Sequence, residues 1–94
     1  MSAKETKHIK RVEIDGKKYA VNMQRANSWT AAKMIAEMNS TDDETLRGSL
    51  AIRFADYLLG DEMDKVVKAC GGDNASAEDV LNLAYKIISE ASKN

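Results

Sequence analysis

The chain has 94 residues, of which 44% are hydrophobic and 31% charged, and a formal net charge of −1. That length suits one small domain and rules out most two-domain enzymes, while the ordinary balance argues against a disordered chain and a membrane protein. Near-neutral charge gives no bulk attraction to nucleic acid or to an anionic membrane, and with only 5% aromatic residues the core must be filled by Leu, Ile, Val, Met and Ala.

Residues 1–8 are polar and charged without periodicity, which predicts a flexible tail, followed by a single domain over residues 9–94. From Ile9 to Met23 apolar residues alternate on both sides of Asp15-Gly16, the pair that suits a type I′ hairpin turn because both positions need positive φ. That register sets Val12 opposite Tyr19, Ile14 opposite Lys17 and Glu13 opposite Lys18. It places Val12, Ile14, Tyr19, Val21 and Met23 on one face. A lone hairpin is marginal, so this face must lie on another part of the chain or on a partner.

Residues 27–92 read as the helical part. Asn27 or Ser28 can cap a helix that runs to about Met38. Thr41-Asp42-Asp43-Glu44 has the capping-box spacing and predicts a second helix to Leu59, closed by Gly60. Asp61-Glu62-Met63-Asp64 opens a short third helix that Gly71-Gly72 terminates, and Ser76-Ala77-Glu78-Asp79 opens a fourth. In that last helix Val80, Ala84, Ile87 and Ala91 form one stripe, with Leu81, Leu83 and Ile88 beside it. The expected fold class is α+β and mainly α: an N-terminal β-hairpin on about four short helices packed as a small bundle.

Two helices carry apolar residues on more than one side. In the second, Leu46, Leu50, Phe54 and Tyr57 share one side while Ile52, Ala55 and Leu59 fall nearly opposite, so it is either buried between layers or offers a face to another protein. In the first, Trp29, Ala32 and Ala36 form one side and Met34, Ile35 and Met38 another. Core is the commoner fate of such residues in a small domain, and methionine suits both irregular gaps and adaptable surfaces.

Catalytic chemistry finds little footing. His8 is the one histidine and falls in the expected tail, so no His-based acid/base pair or His-rich metal site is available. Cys70 is the one cysteine and sits at a helix C-terminus, where the dipole opposes a thiolate; a structural or incidental thiol is the better reading. Asp42-Asp43-Glu44 and Asp61-Glu62-Met63-Asp64 lack calcium-loop spacing and are explained by the positive ends of helices. Gly71-Gly72-Asp73-Asn74-Ala75 lacks the phosphate-loop pattern and reads as a turn. The sequence therefore implies no catalytic residue, cofactor or metal.

Partners are constrained by charge and location. Residues 1–26 hold seven Lys/Arg against three Asp/Glu, and residues 27–94 hold seven against twelve, an asymmetry that could steer head-to-tail self-association but equally follows from solvated tails and helix ends. Lys10, Arg11, Lys17, Lys18 and Arg25 have no aromatic pattern beside them and read as a solvated hairpin face rather than a nucleic-acid site. No apolar run reaches the ~20 residues of a bilayer span, and the start Met1-Ser2-Ala3-Lys4-Glu5-Thr6-Lys7 has no apolar stretch behind its charges. A single cysteine fits a reducing cytoplasm, and without an export signal Asn39-Ser40-Thr41 and Asn74-Ala75-Ser76 are chance matches to the glycosylation pattern.

The hairpin Val12-Glu13-Ile14-Asp15-Gly16-Lys17-Lys18-Tyr19-Ala20-Val21 is followed by small helices and by Tyr57-Leu58-Leu59-Gly60-Asp61-Glu62-Met63-Asp64-Lys65-Val66. Downstream, Ser76-Ala77-Glu78-Asp79-Val80-Leu81 leads into the last apolar helix. This arrangement, from about Val12 to Ala91, resembles the tail assembly chaperones of long-tailed bacteriophages and prophages. The resemblance implies a non-enzymatic protein of the host bacterial cytoplasm that binds the helical tape measure protein before the tail tube forms around it, meets the tube protein, and is absent from the mature virion. It also implies, in many members, a longer frameshifted form whose extension recruits tube protein. Covering an amphipathic client needs exposed apolar helix faces, and Met34, Ile35, Met38, Ile52, Ala55 and Leu59 are the candidate partner-binding surface. Two other classes remain open: a regulatory or nucleic-acid-binding module that uses the basic hairpin, and a structural phage protein retained in the virion. An enzyme relying on Cys70 or the acidic clusters has the least support.

Overall fold

A computed structural model describes residues 8–93. Two antiparallel strands, β1 (Ile9–Ile14) and β2 (Lys17–Asn22), lead into five α-helices. These are α1 (Met23–Ala26), α2 (Trp29–Ser40), α3 (Glu44–Leu59), α4 (Met63–Ala69) and α5 (Ala77–Ala91), with 3-10 turns at Gly60–Glu62 and Gly72–Asn74. The fold is α+β and mainly α, as expected. No helix among the described residues is long and apolar enough to cross a membrane.

The hairpin has the expected register, with Val12 opposite Tyr19, Glu13 opposite Lys18 and Ile14 opposite Lys17. Asp15 (φ 53°) and Gly16 (φ 80°) supply the two positive φ values that a type I′ turn demands. Two boundaries shift. The strand ends at Asn22, whose side chain accepts from the amides of Gln24 and Arg25, so Met23 starts a helical turn instead of extending the strand. The tail expectation concerned residues 1–8; residues 1–7 lie outside the described residues, whereas the His8 carbonyl accepts from the Met23 amide at 2.7 Å and belongs to the hairpin.

Helix starts follow capping chemistry. Ser28 caps α2 through the Ala31 amide, and Ser76 caps α5 through the Asp79 amide. The capping box led by Thr41 does not form. Asp43 caps α3 instead, its carboxylate accepting from Thr45 at 2.9 Å and Leu46 at 3.1 Å, while the Thr41 hydroxyl accepts from the Asp43 amide. One carboxylate oxygen thus satisfies two free amides, and the Arg47 side chain donates to the Met38 and Thr41 carbonyls, fixing Thr41 to the end of α2. Gly60 closes α3 at φ 53°, ψ −123°, a backbone conformation that disfavours any side chain.

The core has two lobes joined through α3. One gathers Ile14, Tyr19 and Val21 of the hairpin, Ala55 and Leu59 of α3, Val66 of α4, and Ala84, Ile87 and Ala91 of α5. The other gathers Ala31, Phe54 and Leu58, with Met34, Met38, Tyr57 and Tyr85 packed against it. Leu58, Ile87, Val21 and Val66 are fully buried, each contributing about 1.5–3 kcal/mol of hydrophobic stabilisation. The hairpin's apolar face is therefore covered by the chain's own helices.

Helix α3 is the layer between the lobes. The two apolar patches on it are the flanks of one continuous arc of roughly 240° at 100° per residue, whose middle is filled by Ala51 and Leu58, both buried. Helix α2 is covered on one side only. Ala31, Met34 and Met38 face α3, while Ala32 and Ala36 are exposed and Trp29 is 79% exposed. Trp29 is thus not a core residue, because no element of the described chain lies over that side of α2.

Candidate functional site

The six residues expected to form one partner-binding surface are dispersed. Ala55 and Leu59 belong to the first core lobe, fully buried and 4% exposed, because α5 and the hairpin cover that flank of α3. Met34 and Met38 are half-buried against the second lobe, and the Met38 sulfur accepts a weak bond from the Tyr85 hydroxyl at 3.9 Å. Ile35 is 41% exposed on α2, and Ile52 is 46% exposed on α3. Of the six, Ile52 alone is both exposed and set in a concavity.

That concavity is a groove of about 440 Å³ between α3, α4 and the start of α5. Its apolar lining comes from Ile52 and Ala55 on α3, Met63 and Val67 on α4, Ala75 and Ala77 before and at the start of α5, and Val80 and Leu81 on α5. Met63 and Val67 stand one helical turn apart, so the short helix offers both to the groove while Val66 points into the core. Gly72 leaves one end low, since it adds no side chain to the lining. Asp56 and Asp64, both exposed, stand among the lining residues on opposite helices. Neither is ion-paired among the described residues, where the salt bridges are Lys65–Glu62 and Lys93–Glu90. An apolar trough with carboxylates along it can take a strip of aliphatic side chains whose flanks carry positive charge.

Two depressions bordered by charged side chains lie elsewhere. One, of about 330 Å³, is lined by Lys17, Lys18 and Tyr19 of β2 and by Lys65, Lys68 and Ala69 of α4. The sequence signalled Lys17 and Lys18 but not their meeting with Lys65 and Lys68, which is a tertiary effect. Lys65 is held by Glu62 at 3.2 Å. Burial raises the Tyr19 hydroxyl pKa above its usual 10.0, helped by Cys70 and Asp15 and opposed by Lys65. The other depression surrounds Arg25, Ser28, Tyr57 and Asp61. There the Arg25 guanidinium lies 5.6 Å from the Tyr57 ring centre and donates to the Tyr57 carbonyl at 3.1 Å. Ser28 donates to the Arg25 carbonyl at 2.6 Å and its oxygen lies 3.0 Å from the Tyr57 hydroxyl. These bonds pin α1 to α3 and leave Arg25 engaged within the chain rather than on a free basic face.

Among the described residues no three His, Cys, Asp or Glu side chains cluster as a metal site would require. Cys70 is half-buried with its sulfur 3.5 Å from the Asp79 carbonyl. The acidic stretches fall where helices begin: Asp43 caps α3, and Glu62 accepts from the Ala20 amide at 2.8 Å.

Compared with protein-family models, curated proteins and solved structures, the chain matches none.

Proposed function

We propose that this protein is a helix-binding assembly chaperone, and specifically a phage tail assembly chaperone whose client is a helical tape measure protein. The observation that carries the reading is the apolar groove between α3, α4 and α5, with Ile52 exposed on one wall and Val67 and Leu81 among its lining. An amphipathic helix docks in such a groove through side chains at i, i+3/i+4 and i+7, while Asp56 and Asp64 favour lysines or arginines flanking that stripe. The resemblance running from the hairpin to the last helix supplies the client class. Tape measure chains are long and helical, so many weakly bound copies along one client would hold it by avidity before tube subunits take their place. The protein acts by covering apolar surface and performs no chemistry.

Co-expression with a tape measure protein, followed by size-exclusion chromatography with light scattering, tests this reading. The wild-type chain is expected to yield a soluble complex with several copies per client. Ile52→Asp, at an exposed position, is expected to abolish the complex while leaving the chaperone folded. A client that stays insoluble with wild-type protein, or that is solubilised equally well by Ile52→Asp, overturns the reading.

The four lysines around Tyr19 favour a second reading, an anion-binding module acting on nucleic acid. It requires binding to duplex or single-stranded DNA or RNA that weakens steeply with salt and is lost in Lys17→Glu/Lys68→Glu.

A further inference from the structure

The two edges of the hairpin are unequal. In an antiparallel pair alternate residues turn their amides and carbonyls toward the partner strand. The register and the bond from the Met23 amide to the His8 carbonyl assign His8, Lys10, Val12 and Ile14 to the inward set. Ile9, Arg11 and Glu13 therefore direct their backbone groups outward, and among the described residues no hydrogen bond reaches them. The corresponding edge of β2 is engaged: the outward amide of Ala20 donates to Glu62. The β2 edge is thus engaged by the chain itself at Ala20, and among the described residues the β1 edge is open.

We propose that the open edge of β1 pairs antiparallel with β1 of a second copy, with Val12 on the twofold axis. A symmetric pairing that uses the outward groups of this strand centres on Lys10, Arg11, Val12 or Glu13, and centring on Lys10 sets two ammonium groups directly opposite each other. Centring on Arg11 sets two guanidinium groups directly opposite each other, and centring on Glu13 does the same to two carboxylates, both unfavourable. Centring on Val12 sets Arg11 of each copy opposite Glu13 of the other, twice over. It also brings together the two Val12 side chains, which are half-buried at the margin of the core. The hydrogen-bonded positions in that arrangement are Arg11 with Glu13, the residues whose backbone groups point outward. Sequence pattern, backbone direction and charge thus select the same register. The result is a continuous four-stranded sheet with the α5 helices of both copies on one face. This assembly goes beyond the client-binding groove, which lies between α3, α4 and α5, and does not depend on it.

Sedimentation velocity on the full chain over a range of concentrations tests the proposal, with circular dichroism to establish folding of each variant. Wild-type protein is expected to dimerise. Arg11→Glu and Glu13→Arg, both at exposed positions, each weaken homodimerisation by at least about tenfold, because every cross-strand pair becomes like-charged. Mixing the two variants restores association, since an all-acidic edge then meets an all-basic one, and the double reversal in one chain restores the homodimer. A wild-type chain that stays monomeric at high concentration, or a mixture no more associated than its components, overturns the proposal. So does stronger association of Glu13→Arg alone, the result expected if the basic front of one copy met the acidic back of another.

Discussion

The carboxylate of Glu62 accepts a hydrogen bond from the backbone amide of Ala20, 42 residues earlier in the chain, at 2.8 Å. The same oxygen receives the Lys65 ammonium at 3.2 Å, so one side chain ties β2 to the start of α4 and holds one of the lysines beside Tyr19. The Leu-Leu-Gly-Asp-Glu run that underlies the family resemblance therefore has an architectural meaning. Leu58 and Leu59 fill the two core lobes, Gly60 turns the chain, and Glu62 locks the hairpin onto the turn. Replacing Glu62 by Ala should lower stability by about 1–2 kcal/mol in urea unfolding, and Glu62→Gln should lose less because an acceptor remains.

Gly60 is constrained by conformation and not by space, since a Cβ there would meet Arg25 at an ordinary 3.6 Å. Gly60→Ala should therefore destabilise by about 1–3 kcal/mol through backbone strain, with an unchanged m-value in the same titration.

Exposed and buried positions on α3 should separate cleanly. Leu59→Ala opens a cavity in the first lobe and should cost about 2–5 kcal/mol, whereas Ile52→Ala should change stability by no more than about 0.5 kcal/mol. Trp29→Ala should be equally silent in unfolding experiments, because the indole is exposed.

Much of this architecture was legible in the sequence. Asp15-Gly16 dictates a turn that admits one register, and the stripe Val80, Ala84, Ile87 and Ala91 defines the packed side of α5 without help from the rest of the chain. The surface was less legible. On α3, Leu46, Leu50, Phe54 and Tyr57 look separate from Ile52, Ala55 and Leu59 until the buried Ala51 and Leu58 are set between them, which makes one apolar arc with exposed ends at Leu46 and Ile52. On α2, apolar residues occupy both sides, and nothing local says that α3 covers the methionines and leaves Trp29 outside. The groove draws on α3, α4 and α5 at once, so periodicity within one helix could deliver only its α3 wall, the exposed Ile52 and the buried Ala55. The i, i+4 pair Met63 and Val67, outside the core stripe of its own short helix, was the remaining local signal.

The tyrosines give the molecule an alkaline limit. Burial raises the pKa of the Tyr85 hydroxyl, and burial with the neighbouring Cys70 and Asp15 raises that of Tyr19, above the ordinary 10.0. A phenol that keeps its proton longer in the folded chain contributes stability fully below pH 10, and loses it as pH rises from there through the folded-state values. Unfolding free energy should therefore fall above pH 10, with tyrosinate absorbance lagging behind that of the denatured chain. Tyr19→Phe and Tyr85→Phe should each flatten that fall.

In the proposed function the groove between α3, α4 and α5 receives an amphipathic helix. Titrating isotope-labelled protein with a helical peptide from a tape measure protein, and following backbone and methyl resonances, tests it most directly. Saturable shifts concentrated on Ile52, Met63, Val67, Val80 and Leu81 are expected, with their loss when Ile52 is replaced by Asp. Shifts gathered instead around Trp29 and Ile35, or no shifts at a concentration that keeps the peptide soluble, would contradict it.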